Sequence, residues 1–275
     1  MASKQRRLAK TVVGFVRRLA SIEECQKLGA VDHATLSLQE AITGADLVVL
    51  CTPIAQMRMR VEEMLPFLQR GAIVTDVGIV KSSVVRELEP IVARAGARFV
   101  GSHPMAGAEK TGVASARADL FVNAVCVVTQ TSKSNKVAMR HVEEFWQALG
   151  GRILRLTPEM HDMFVSRTSH LPHVVASALA NYVLNPAHPK KQAALCANGF
   201  RDTTRIASGS PEMWRDIALA NRKNLAVALA AFIRDLQKFR RMLQNAEQEN
   251  IKKFFETAKQ RRDCWCTRAV SPSPE

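Results

Sequence analysis

Apolar and polar positions alternate along this chain in two rhythms. In the first half, short apolar runs are separated by segments with helical spacing. The runs are "TVVGFV" (11–16), "ADLVVLCTP" (45–53), "AIVTDVG" (72–78), "RFVGSH" (98–103), "AVCVVTQ" (124–130) and "RILRL" (152–156). Between them lie "SIEECQKLG", "MRMRVEEMLPFLQRG", "SSVVRELEPIVARAG" and "NKVAMRHVEEFWQALGG", and the first three close on Gly29, Gly71 and Gly96, where helices stop. Nearly continuous apolar strands alternating with helices predict a largely parallel sheet covered on both faces. The fold class expected is doubly wound α/β.

After Leu156 the rhythm becomes helical only. "TPEMHDMFVSRTSHLPHVVASALANYVL" opens on a threonine cap with proline at the first helical position. A second cap, "SPE" at 210–212, is expected to open one very long helix. Within it Leu225, Leu229, Phe232, Leu236, Phe239 and Leu243 are spaced alternately by four and three, a heptad seam that needs a partner helix. A seam shared between two copies of the chain is favoured over an intrachain bundle. The expected division is 1–156 for the sheet domain, 157–263 for a helical dimerisation domain and 264–275 for a disordered tail.

Composition changes this picture little. The 275 residues are 47% hydrophobic and 23% charged, an ordinary globular balance. No eighteen-residue apolar run exists, so no membrane span is expected. The six cysteines show no metal spacing and no sign of secretion; Cys51 and Cys126, inside strand-like runs, read as buried thiols, and no metal site is expected. Residues 1–22 hold no acid, as transit peptides do, but "TVVGFV" inside them reads as a core strand, and a cytoplasmic protein is expected. The formal charge of +14 would suit a nucleic-acid binder, yet no recognition motif accompanies it. A basic surface that attracts anionic metabolites is the plainer reading.

In a doubly wound sheet, ligands sit at the carboxyl ends of the strands. Those ends carry "CTP", "DVGIVK" and "GSHP", which places Thr52, Pro53, Gly78 and His103 on the ligand edge. The helical half adds "SRTSHLPH", where Ser169 and His173 share one helical face and Pro172 frees the carbonyl of Thr168. "NGFRDTTRIASGSPEMW" adds Arg201 and Arg205, whose planar forks suit a carboxylate, unless Asp202 pairs with them.

Taken together, "ADLVVLCTP", "TDVGIVK", "GSHPMAGAEKTG", "LF" at 120–121, "SHLPH" and "GFRDTTRIASGSPEMWRDI" resemble, in order and spacing, the prephenate and arogenate dehydrogenase (TyrA) family, from about Thr11 to Asp263. The resemblance implies a Rossmann-type domain followed by a helical dimerisation domain. It implies NAD(P)-dependent oxidative decarboxylation of prephenate to 4-hydroxyphenylpyruvate in tyrosine biosynthesis, or the arogenate reaction. His103 would be the catalytic base and Arg205 the carboxylate clamp. Ser169 and His173 would line the substrate pocket, and Glu109, Asp202 and Trp214 would shape it, partly across a homodimer.

Two departures stand out. Where the family usually has serine in "DVGSVK", this chain has Ile79. The family's first strand and its GxGxxG turn should precede Thr11, but residues 1–10 hold no glycine and no apolar run. The expected sheet therefore lacks its first strand, weak cofactor binding is expected, and a non-catalytic dimeric remnant is the rival reading. After the run 11–16, Arg17 and Arg18 stand where an acid would select NAD, so NADP is the expected cofactor, with NAD possible.

Overall fold

The computed structural model describes residues 1–107 and 112–270. Helix α1 (Ala2–Gln5) precedes β1 (Val13–Phe15), α2 (Leu19–Lys27), β2 (His33–Thr35), α3 (Leu38–Ile42), β3 (Leu47–Leu50) and α4 (Ile54–Met64). Then come β4 (Ile73–Asp76), α5 (Ser82–Arg94), β5 (Arg98–Val100), β6 (Ser102–Pro104), β7 (Val125–Thr129), α6 (Lys136–Ala148) and β8 (Arg152–Leu156). The remainder is helical: α7 (Pro158–Val165), α8 (Leu171–Val183), α9 (Lys190–Ala193), α10 (Asn198–Thr204), α11 (Pro211–Ala220), α12 (Arg222–Gln244) and α13 (Gln248–Val270). This is the α/β-then-helical order the pattern predicts. Met1–Leu225 packs as one compact unit and Ala226–Glu275 as another.

The strands form three blocks. β1 pairs with β2 in parallel, β3–β4–β5 is parallel, and β6–β7–β8 joins an antiparallel pair to a parallel one. Among the described residues no strand pairs with both β1 and β3, and residues 2–5 form a short helix rather than a strand. The single strand expected over 98–103 is two, broken at Gly101. A Cβ at Gly101 would lie 2.6 Å from the Thr129 hydroxyl and 2.7 Å from a Val85 methyl, so only glycine lets the chain pass and turn.

Two cores hold the block. Val48, Leu50, Val74 and Phe99 pack against Met57 and Val61 of α4 and Val84, Leu88 and Val92 of α5. On the other side, Ile73, Val100, Cys126 and Val128 pack against Met139, Val142 and Trp146 of α6. Every position named is buried, as hydrophobic faces of a two-sided sheet must be. Cys126 is buried as expected; Cys51 falls in the edge loop after β3 ends at Leu50 and is exposed as a residue, yet burial still pushes its thiol pKa up.

Two helical expectations need correction. The helix opening at Ser210 is two: α11 ends at Ala220 and α12 starts at Arg222, with Asn221 between them, its side-chain amide donating to the Asp162 carbonyl at 2.8 Å. Residues 264–270 belong to α13 rather than to a disordered tail. The Arg262 guanidinium lies 5.5 Å from the Trp265 ring, and Lys259 pairs with Asp263, so helical (i, i+3) and (i, i+4) contacts carry the helix on. In the second unit Phe239 of α12 meets Phe254 of α13 at 4.6 Å between ring centres. The seam itself is only partly covered: Leu236 and Leu243 are both about half exposed.

Candidate active site

Four strand ends converge on one edge. Arg17 and Arg18 follow β1, Thr52 and Pro53 follow β3, and Gly78 to Lys81 follow β4. His103 sits in β6, opposite Val127, and is buried. Gly78 turns the chain so that its N–H donates to Asp76 Oδ2 at 2.8 Å. A Cβ there would meet that oxygen at 2.8 Å and the Met57 methyl at 3.2 Å. The Thr52 hydroxyl is buried and has no hydrogen-bond partner among the described residues. Arg17 reaches only Gln56, at 3.5 Å, and both arginines are exposed.

Behind this edge lies a buried polar network. Lys81 and Asp76, both fully buried, form an ion pair, and Lys81 Nζ also donates to the Ser102 carbonyl at 2.9 Å. Burial pushes the Lys81 ammonium below its ordinary value, and Asp76 opposes that shift. His103 Nδ1 lies 2.8 Å from His161 Nε2, and His161 Nδ1 lies 2.8 Å from Asp162 Oδ1. Asp162 belongs to α7, yet it caps the start of α5: it accepts from Lys81 N at 2.7 Å and Ser82 N at 2.9 Å. A carboxylate at a helix N-terminus satisfies unpaired donors and meets the positive end of the dipole. Burial pushes the Asp162 carboxyl up, but His161 and the two N–H groups together hold it below its ordinary value. Burial, then the neighbouring His161, Lys81 and His170, push His103 well below the usual imidazole range.

The helical half approaches through a π-helical turn, Ser166–His170, between α7 and α8. Leu171 N reaches back five residues to the Ser166 carbonyl. Pro172 explains the wide turn: its ring would strike the carbonyl four residues earlier, so the chain opens there rather than merely kinking. The turn carries His170, fully buried, whose Nδ1 lies 3.2 Å from the Asn221 amide nitrogen. The same nitrogen donates to the Asp162 carbonyl at 2.8 Å, which ties the two clusters together. His173 stacks on Trp214 with ring centres 3.4 Å apart, and Gly209 lies against that stack because a Cβ would meet Trp214 Nε1 at 2.7 Å. His170, His173 and Trp214 line a cavity of 310 Å³ with Val174, Ile217 and Leu225.

The expected residues are thus placed unevenly. His103, His173 and Trp214 are brought into one connected region. Ser169 is half-buried in the π turn and is not on the cavity wall. Arg201, Asp202 and Arg205 are exposed on α10 and the turn after it. Glu109 lies outside the described residues. Ile79 is half-buried at the edge.

This geometry can be set beside known proteins. Residues 1–155 match the family described as prephenate dehydrogenase, nucleotide-binding domain, and residues 157–257 match prephenate dehydrogenase, dimerization domain. The chain belongs to the prephenate dehydrogenase family. It is 33% identical to the prephenate dehydrogenase of Bacillus subtilis over 266 residues, covering 96% of this chain and 71% of that one. A crystal structure of prephenate dehydrogenase from A. aeolicus, in complex with hydroxyphenyl propionate and NAD+, superposes with a TM-score of 0.89 at 31% identity, covering 95% of this chain and 91% of that one. Synechocystis arogenate dehydrogenase follows at TM-score 0.81 and 29% identity, covering 96% and 94%. The prephenate dehydrogenase family is one of oxidoreductases, and its nucleotide-binding domain goes with a nicotinamide cofactor. Among the described residues no helix is long and apolar enough to cross a membrane, and no cluster of three or more metal-binding side chains exists.

The sequence reading missed Lys81, His161, Asp162, His170 and Asn221 as members of the site. "HD" at 161–162 directly follows a capped helix start and was available as a signal; the partners lie 58 residues or more away, and only the fold joins them.

The buried histidines imply an acid-sensitive fold. Burial lowers His170 to about 4 from an ordinary 6.5. Between those values the unfolded chain binds the proton and the folded one does not, so stability falls as pH drops through this window. The loss from His170 alone is about 3 kcal/mol at pH 4. Urea denaturation at pH 7 and pH 4.5 should show it, with a smaller loss in His170→Gln; equal losses in both proteins would refute the assignment.

Proposed function

We propose that this chain catalyses the NADP-dependent oxidative decarboxylation of prephenate to 4-hydroxyphenylpyruvate, in tyrosine biosynthesis, as a cytoplasmic homodimer. The observation that carries this reading is His103: a buried imidazole, kept neutral, on the ligand edge of the nucleotide-binding domain and tethered to the helical half. Oxidising an alcohol requires its hydroxyl proton to leave as the carbon is oxidised. A neutral imidazole held below its usual pKa is available for that proton across the physiological range. Loss of the ring carboxylate as carbon dioxide then yields an aromatic ring, which makes the step irreversible.

The edge fits a nicotinamide cofactor. The unpartnered Thr52 hydroxyl is a ready donor or acceptor, and the bare backbone at Gly78 lets a flat group approach. Thr52, Pro53 and Gly78 would hold the cofactor, and Arg17 and Arg18 would meet a ribose phosphate. When bound, the cofactor takes up the hydride. Arg205 clamps a substrate carboxylate, Ser169, His173 and Trp214 line the substrate's side of the site, and Asp202 and Glu109 shape it. The half-exposed seam of α12 supports pairing with a second copy, in keeping with the matched dimerization domain.

Initial rates with prephenate and arogenate, each with NAD and NADP, test the reading. Prephenate with NADP should turn over fastest. A preference for arogenate would move the chain to the sister activity, and no turnover with any pair would overturn the enzymatic reading. Replacing Arg17 and Arg18 by alanine should raise the NADP Michaelis constant about ten- to a hundredfold, since a charge-assisted contact is worth roughly 1.5–3 kcal/mol. The NAD constant should hardly move, and an equal loss for both cofactors would sink the assignment.

A further inference from the structure

We infer that His161 and Asp162 are positioning residues that fix the tautomer of His103, so that its Nε2 carries the free lone pair. The inference rests on the reading of His103 as the base and adds which nitrogen does the work and what sets it.

Asp162 is a carboxylate: each oxygen accepts a backbone N–H, from Lys81 and from Ser82. At 2.8 Å, Asp162 Oδ1 can only accept from His161 Nδ1, so that nitrogen carries hydrogen. A second hydrogen on His161 Nε2 would place a whole charge on a fully buried ring whose carboxylate neighbour, Asp162, already serves two backbone N–H groups. His161 Nε2 is therefore an acceptor, and it takes the hydrogen of His103 Nδ1 across 2.8 Å. With Nδ1 protonated in a neutral ring, Nε2 is left bare. The two rings meet edge to face, 71° apart.

His103 is oriented from behind by its Nδ1 contact, which uses nothing at position 79. Among the described residues, the titratable or charged groups acting on His103 are His161 on α7, His170 in the π turn and Lys81, with Asp162 behind His161 and Asp76 paired to Lys81.

Nitrogen-15 NMR of the histidine rings in the intact protein tests the inference without requiring turnover. His103 should show hydrogen on Nδ1 and none on Nε2. Asp162→Asn presents an amide that can donate to His161 Nδ1, which puts hydrogen on His161 Nε2 and forces His103 into the opposite tautomer. Its kcat should fall about a hundred- to ten-thousandfold, the scale set by a wrong-tautomer base, with little change in KM. His161→Gln keeps an acceptor oxygen for His103 Nδ1 and should hold both the tautomer and most of the rate, whereas His161→Leu should lose both; this pair decides the matter if Asp162→Asn does not fold. Hydrogen on His103 Nε2 in the parent, or equal behaviour of His161→Gln and His161→Leu, would overturn the inference. Full turnover in His103→Asn would instead remove the base reading while leaving the tautomer result to stand or fall by its own spectrum.

Discussion

His103→Asn is expected to cut kcat about a hundred- to ten-thousandfold while substrate binding stays largely intact. The proton moves only as the transition state forms, so losing its acceptor weakens the transition state and not the ground-state complex. Asparagine keeps a polar side chain of similar length, which limits damage to a site where His103 is buried against His161. Arg205→Ala should behave in the opposite way, raising KM through a lost carboxylate contact. The pH profile gives a second readout. Because burial holds His103 well below 6.5, the acid limb of kcat should fall below the ordinary histidine range, not within it. Steady-state kinetics on the parent and the variant settle the point. A kcat within threefold of the parent would make this histidine structural, and the proposed mechanism would fail with it.

How much of this was legible beforehand depends on sequence distance. β3 and β4 were plain, because each is a continuous apolar run that only a two-sided sheet can bury. β2 and α3 were invisible, since a three-residue strand, His33–Thr35, and a five-residue helix are too short to show a period. The strand over 98–103 looked single because the break at Gly101 is imposed by Thr129 and Val85, which pack onto it from elsewhere in the chain. The same holds in the site. His103 stood out through its position at a strand end, whereas His161 and Asp162 sit inside a helical stretch with no motif of their own. Asp162 is read correctly only once α7 docks on α5, 80 residues earlier in sequence, where it replaces a cap that Lys81 does not supply. The π turn was half legible: Pro172 announced a disturbed helix, but the choice between a kink and a wider turn is made by packing around buried Ser166 and His170.

Lys81→Met is expected to be the most destabilising single change in the sheet domain, at about 3–5 kcal/mol, because it strands a buried charge. Asp76 is fully buried, and among the described residues its carboxylate keeps two backbone donors, Gly78 N at 2.8 Å and Ser102 N at 3.1 Å, once the ammonium is gone. The Ser102 carbonyl loses its 2.9 Å partner in the same step. Methionine fills much the same space, so the loss reports electrostatics and hydrogen bonding rather than a cavity. The double variant Lys81→Met/Asp76→Asn discriminates further. Asparagine is neutral, and its single oxygen can still accept from the backbone, so the uncompensated charge disappears. The double variant should then be more stable than Lys81→Met alone, although Asp76→Asn by itself is destabilising because it breaks the pair from the other side. That reversal of sign follows only if the two groups are coupled directly. Urea denaturation of the parent, both single variants and the double variant measures it. Additive losses, or a loss below about 1 kcal/mol in Lys81→Met, would show that water reaches the pair and that the network behind His103 is less dry than its burial implies.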